Sequence, residues 1–262
     1  MKKIILLALV ALGMLACSDK NSPDGVLTGT FRINDKKQSV SFSQGNLQYK
    51  PSTKTWRFAE NQYDTIGAAN SNISDSYDGW LDLFGYGTGD NPTQSSSDAK
   101  DYANFVDWGV NKISNGGNKS NQWRTLTMEE WGYVLFDRPK AASLRSLATV
   151  NNVHGVILLP DQFKQPSGLE WQADAANYDI NIYPLNQWIK MEQAGAVFLP
   201  AAGMRYGKEC DYGNVRGFYW SSSPTKYDDT EANGPYFDEK EKIDWYAYPR
   251  RFGQSVRLVQ EL

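Results

Sequence analysis

From Gly67 to Asn121 the chain is rich in Gly, Asn, Ser and Asp and shows neither helical nor strand periodicity, yet large apolar residues recur through it. Trp80, Leu81, Leu83, Phe84, Tyr86, Phe105, Val106 and Trp108 punctuate the polar background. Disordered segments are poor in aromatics, so this stretch is expected to be an ordered loop region. A fold that spends so much chain on ordered loops needs a small regular scaffold and many aromatic anchors. The composition supplies them: 13% of residues are aromatic, with nine Trp and fifteen Tyr.

The scaffold is readable on either side of that stretch. Within residues 28–49, Phe31, Ile33, Val40 and Phe42 alternate around Asn34-Asp35-Lys36-Lys37, which predicts a β-hairpin. WRFAE (56–60) reads as a further short strand. TLTMEEWGYVLFDR (125–138) carries the clearest helix signal. Thr127 can cap it, Glu130 stands at capping-box spacing, and Trp131, Val134 and Leu135 share one face. VHGVILLP (153–160) predicts a buried strand, and PLNQWIKMEQAG (184–195) a second helix stopped by Gly195. Residues 196–206, 217–223 and 255–260 read as three more strands. Two helices thus lie among short strands and long ordered loops. Without an internal repeat or linker, a single domain over 28–262 is expected.

The first residues, MKKIILLALVALGMLAC, place Lys2 and Lys3 before an apolar run from Ile4 to Leu12. This is the pattern of a secretory signal segment over residues 1–16. The run is too short for a membrane-spanning helix, which needs about 20 residues. Met14-Leu15-Ala16-Cys17 resembles a bacterial lipobox, which implies cleavage before Cys17 and lipidation of its thiol. Residues 17–27 then form a lipidated N-terminus and polar tether, and the expected location is the outer membrane or cell surface. The net charge is −3 and no basic run exists, which argues against a nucleic-acid partner. With Cys17 lipidated, Cys210 has no intramolecular partner and the core must hold the fold without a disulfide. His154, the single histidine, excludes a multi-His zinc site. It is the only base a Ser-His-Asp triad could use, and its place at the start of an apolar run reads as structural.

Several segments carry a resemblance: SFSQGNLQYKPSTKTWRFAENQYDTIG (41–67), WLDLFGYGTGDNP (80–92), the run 104–138, GAVFLPAAGMRYG (195–207), FYWSSS (218–223) and GQSVRLVQ (253–260). Together they resemble the secreted modules, abundant in gut Bacteroidetes, known as fibrobacter-succinogenes major-paralogue-like (FISUMP-type) domains. Those are similar in turn to the formylglycine-generating-enzyme fold, an elaboration of the C-type lectin fold. The resemblance implies a mixed α+β fold with two main helices, a small twisted antiparallel sheet and long ordered loops. It also implies that 218–223 is a central strand pairing with the final strand. Trp123, Arg124, Trp131, Trp220 and Arg257 are then expected to serve the structure. Arg124 could instead hold an anion, and the serines of FYWSSS lack the GxSxG elbow of a nucleophile.

Formylglycine-generating enzymes use a pair of copper-binding cysteines, and Cys210 alone cannot replace it. Neither EPN-like nor WND-like calcium strings of the lectins occur. A calcium site would have to draw on Asp75, Asp78, Asp82 and Asp90, or on Asp228, Asp229 and Glu231, because calcium needs about six to eight oxygens. No other cofactor is expected. The most suggestive surface is PYFDEKEKIDWYAYPRRFGQ (235–254), where Tyr236, Trp245, Tyr246, Tyr248, Arg250 and Arg251 crowd together. Tyr, Trp and Arg are the residues of binding hot spots, although strand alternation would send half of them inward. Asp64-Thr65-Ile66 matches a three-residue O-glycosylation pattern of Bacteroidetes exported proteins, as chance also produces. The expectation is a non-catalytic lectin-like lipoprotein binding a glycan or a surface protein. An oxidoreductase or hydrolase on the same scaffold, and a structural or adhesive envelope component, are the alternatives.

Overall fold

The computed structural model describes residues 24–240 and 242–262. The expected signal segment and Cys17 lie outside the described residues. Tertiary contacts begin just before the boundary expected at residue 28. The Gly25 carbonyl accepts the Gln44 N–H at 2.8 Å, and Val26 bridges to Ser43.

The hairpin expected near the start forms from β1 (Phe31–Arg32) and β2 (Ser39–Phe42), closed by the Lys37 N–H on the Asn34 carbonyl at 3.1 Å. A second hairpin joins β3 (Leu47–Lys50) to β4 (Thr55–Phe58). The loop region that follows holds short 3-10 turns and isolated bridges, and its anchors Leu81, Phe84, Tyr86 and Trp108 are buried. Then come β5 (Arg124–Thr125) and α1 (Met128–Gly132). Thr127 Oγ1 accepts the Glu130 N–H while Glu130 accepts the Thr127 N–H, so the capping box is complete. The expected helix to Arg138 does not stay α-helical. Tyr133–Asp137 widens into a π-turn closed by the Arg138 N–H on the Tyr133 carbonyl at 2.8 Å.

The chain continues through β6 (Arg145–Val150), β7 (Val153–Leu158), β8 (Ile182–Tyr183), α2 (Leu185–Gln193) and β9 (Val197–Pro200). It ends with β10 (Met204–Tyr206), β11 (Glu209–Asp211), β12 (Gly217–Phe218), β13 (Glu231–Asp238), β14 (Lys242–Pro249) and β15 (Leu258–Glu261). The sheets are small. Two have four strands, ordered β1-β2-β15-β5 and β8-β6-β7-β9; one has three, ordered β12-β13-β14; two are isolated hairpins. Every strand pair is antiparallel except β6 with β8. This is an α+β fold of few helices and several small antiparallel sheets.

Two expected strands are corrected. Residues 196–206 break at Gly203, which sits at φ +74; a Cβ there would lie 2.2 Å from the Asp211 carbonyl oxygen. Residues 217–223 form a strand only over Gly217–Phe218. Tyr219 then bridges in parallel to Ser255, and the last strand pairs with β2 and β5 instead. The reason is local: the chain crosses β13 so closely that a Cβ on Gly234 would lie 1.8 Å from the Tyr219 carbonyl oxygen.

Three apolar clusters sit between the sheets. One gathers Phe31, Phe42, Trp131, Leu158 and Phe237; a second Trp56, Phe58, Trp108, Trp123 and Trp220; a third Trp188, Met191, Ile157 and Phe198. Several buried polar ends are anchored to main-chain or amide oxygens, whereas the indole nitrogens of Trp108, Trp131 and Trp188 have no hydrogen-bond partner among the described residues. Trp220 Nε1 donates to the Phe84 carbonyl at 2.7 Å and Trp123 Nε1 to the Gly116 carbonyl at 2.8 Å. Arg257 is fully buried and donates to Gln62 Oε1 at 2.8 Å, with Asn46 Oδ1 and the Phe198 carbonyl at 3.4 Å. Burial draws its guanidinium pKa down to about 10, against the opposing pull of Tyr219 and Glu192. Arg124 grips Glu130 through two nitrogens, at 2.7 and 2.8 Å, and Glu261 at 3.0 Å, tying the cap of α1 to the last strand.

Candidate functional site

The β13–β14 ribbon sorts the late aromatic residues by strand alternation. Phe237, Ile243 and Trp245 face the core, where Trp245 packs on Phe136 with ring centroids 5.8 Å apart. Tyr236, Tyr246 and Tyr248 take the other face. Their centroids are 5.2 Å apart for Tyr236 and Tyr246, and 5.8 Å for Tyr246 and Tyr248. Phe218 on the neighbouring strand completes the cluster, 5.2 Å from Tyr236 and 5.3 Å from Tyr248. Tyr236 and Phe218 form its buried floor, Tyr248 is half-buried and Tyr246 is 38% exposed.

The floor carries a polar seam. Tyr236 Oη donates to Asp238 Oδ2, and burial together with that carboxylate raises its pKa, so the phenol stays protonated. Arg216 Nε lies 3.3 Å from the same Asp238 oxygen, and its guanidinium carbon stands 4.5 Å above the Tyr212 ring. Tyr212 also meets Phe218 at 6.1 Å. The loop presenting these groups holds Tyr212 and Asn214 at φ +60 and +59, unfavourable backbone for a side chain as bulky as Tyr. It is fixed by the Asn214 N–H on the Ala201 carbonyl at 2.7 Å and the Arg216 N–H on the Tyr212 carbonyl at 3.0 Å.

The six residues proposed from sequence thus part company. Tyr236, Tyr246 and Tyr248 are brought together. Trp245 is turned to the core side. Arg250 is a buried clamp: its guanidinium lies 5.3 Å from the Tyr86 ring centre and donates to the Glu231 carbonyl at 3.1 Å. Arg251 stacks elsewhere, against Tyr206 and Phe252. Tyr212, Arg216, Phe218 and Asp238 had no local signal, apart from the Tyr236–Asp238 alternation.

The aspartates proposed for calcium are not assembled. Among the described residues no three His, Cys, Asp or Glu side chains stand close enough to share a metal. Asp75 accepts from Thr93, Asp78 is bound by Ser52 and Lys50, and Asp90 is exposed. Asp82 is fully buried and serves as a loop clip. It accepts the Ile66 N–H at 2.8 Å and Asn70 Nδ2 at 2.7 Å, while Asn70 Oδ1 accepts the Asp82 N–H at 2.9 Å. Burial raises its pKa to about 6, against these donors. Asp228 is tied to Thr230, and Asp229 and Glu231 stand at the start of β13.

Chemistry-bearing residues elsewhere are equally dispersed. His154 meets Asn214 and Tyr178 and no serine, while the serines of FYWSSS serve the backbone: Ser221 Oγ donates to the Asn233 carbonyl and Ser223 Oγ accepts the Met128 N–H. Burial raises the Cys210 thiol pKa. Thr65 is exposed. A larger cavity, about 740 Å³, lies away from the ribbon between residues 168–173 and 180–187. Two of its polar side chains are used internally: Asn181 bonds to Ser146, Leu147 and Gln172, and Tyr183 to the Glu170 carbonyl. The tyrosine face is therefore the stronger candidate. Compared with known proteins, the chain matches no family model, no curated protein and no solved structure.

Proposed function

We propose that this chain is a cell-envelope lipoprotein whose single domain, lectin-like and FISUMP-type in its resemblance, binds a glycan through the tyrosine face of β13 and β14, without chemistry of its own. The observation that carries this reading is the aromatic cluster itself. Tyr246 presents ring surface beside the half-buried Tyr248, which packs on the second cluster, while the other side of the ribbon faces the first cluster. Sugar rings have apolar C–H faces and hydroxyl edges; they stack on aromatic faces and bond to nearby polar groups. Arg216, held in place by Asp238, supplies such a group at the edge of the cluster. Lipidation at Cys17 would hold this face at the outer membrane or cell surface.

The test is a glycan and mucin array with the purified protein, with and without calcium, beside Tyr246→Ala and Tyr248→Ala. Binding that both variants lose supports the reading, and a chelator decides whether calcium takes part. Signal that the variants retain places the site elsewhere, and no signal above background removes the glycan. A protein partner is the second reading, favoured by the position of β14 at the edge of its sheet, where an extended peptide could pair.

A further inference from the structure

A recess of about 320 Å³ adjoins the tyrosine face and shares Arg216 and Asp238 with it. His154 and Tyr178 also line it, stacked with centroids 4.5 Å apart and planes 12° from parallel. His154 Nδ1 lies 2.8 Å from the Asn214 carbonyl oxygen. A carbonyl only accepts, so Nδ1 carries the proton, and in the neutral tautomer that this fixes Nε2 is the acceptor. The Asn214 Oδ1 also holds the His154 N–H at 2.7 Å, which fixes the residue between two contacts.

The remaining polar groups divide into used and unused. Asp238 is saturated: Tyr236 and Arg216 reach Oδ2, and the Lys240 N–H donates to Oδ1 at 2.8 Å. Glu239 Oε1 accepts the Tyr178 N–H at 3.2 Å. Among the described residues, the terminal guanidinium nitrogens of Arg216, Lys240 Nζ, Glu239 Oε2 and His154 Nε2 have no protein partner. Two of these groups donate and two accept. The charges balance, Arg216 and Lys240 against Asp238 and Glu239, so the recess does not select an anion. Groups that both donate and accept fit such a rim, and hydroxyls do both.

We infer that the recess seats the terminal sugar of the bound glycan, a neutral hydroxyl-bearing ring. Neighbouring sugars then lie across Tyr246 and Tyr248, and the protein recognises chain ends rather than chain interiors. The volume is at the lower end for small-molecule sites, of order 300–1,000 Å³, which suits one ring and not a longer segment. This inference rests on the glycan reading of the tyrosine face and narrows it.

The experiment takes the strongest binder from the neutral oligosaccharides of the array and compares it with the same oligosaccharide shortened by one terminal sugar with an exoglycosidase. Both are titrated against the wild type, Val215→Trp, Lys240→Ala and Tyr246→Ala. Val215 is an exposed residue of the recess wall, so the larger side chain fills the recess from solvent. Trimming is expected to weaken wild-type binding about tenfold or more. Val215→Trp should bind intact and trimmed glycan alike, at the trimmed level, and Tyr246→Ala should lose both. If trimming leaves wild-type affinity unchanged while Tyr246→Ala still loses it, the face binds chain interiors and the inference is overturned with the glycan reading intact. If wild-type binding survives in Tyr246→Ala, the site lies elsewhere and the reading of the tyrosine face falls; if no array glycan binds, the glycan reading itself falls. The Lys240→Ala titration checks the recess without added bulk: discrimination between the two glycans as strong as the wild type's counts against the inference.

Discussion

The two faces of the β13–β14 ribbon share one backbone and nearly one composition, yet their residues do different work. Phe237 and Trp245 point inward and fill volume between α1, the π-turn and the first sheet. Tyr236 and Tyr246, their immediate neighbours in sequence, take the opposite face and meet each other, Tyr236 as buried floor and Tyr246 at the surface. The inner face ends in hydrocarbon and indole edge. The outer face ends in hydroxyls, a carboxylate and a guanidinium. Aromatic content alone therefore says little about a site. What distinguishes a core face from a presenting face is where the polar tips go.

The sharpest break of that comparison comes from the inner face. Phe237→Ala removes a fully buried ring and is expected to cost about 3–5 kcal/mol, read as a drop in the urea midpoint. A cost close to zero would mean that the ribbon is not core on that side. Asp82, off the ribbon, gives the next effect. Its pKa is raised from 3.8 to about 6. The stability it confers is thus complete below about pH 4 and lost as pH rises through 6, a swing of about 3 kcal/mol. Unfolding of the wild type and Asp82→Asn at pH 4, 5, 6 and 7 should show the variant gaining on the wild type over that window; a pH-independent difference would refute the shift.

Trp245→Ala should cost less than Phe237→Ala, about 1–3 kcal/mol, since Trp245 is only half-buried against Phe136. The smallest stability effect belongs to Tyr246→Ala, within about 0.5 kcal/mol, as for an exposed side chain. Its large effect should appear in binding. A Tyr246→Ala variant as unstable as Phe237→Ala would erase the distinction between the faces.

Local signals carried much of the scaffold. The hairpin around Asn34–Lys37 and the capping box of Thr127 and Glu130 depend on neighbours in sequence, and both formed. Loop anchors such as Trp108 were legible because so large a ring in a polar stretch has few other uses. The break at Gly203 and the short β12 were not, because each depends on a distant carbonyl passing close by. The site was half legible. Three tyrosines were visible in one segment, but His154, Tyr178, Arg216 and Phe218 reach the ribbon only through tertiary pairing. Arg250 misled because an arginine beside aromatics suggests a surface contact, whereas carbonyls of Tyr102, Ala103 and Glu231 surround this one. Asp82 misled likewise: its partners are one backbone N–H and one buried amide.

The strand order β1-β2-β15-β5 sets a timetable for synthesis. The last strand, Leu258–Glu261, lies between two strands made much earlier, pairing Val259 with Phe42 on one side and with Arg124 on the other. Until those residues emerge, β2 and β5 have no neighbour between them and the cap of α1 lacks the Glu261 contact through Arg124. Contacts of such long sequence separation form late. A chain made from its N-terminus therefore carries an open seam that its own final residues close, and a stop a few codons early would leave that seam unsealed.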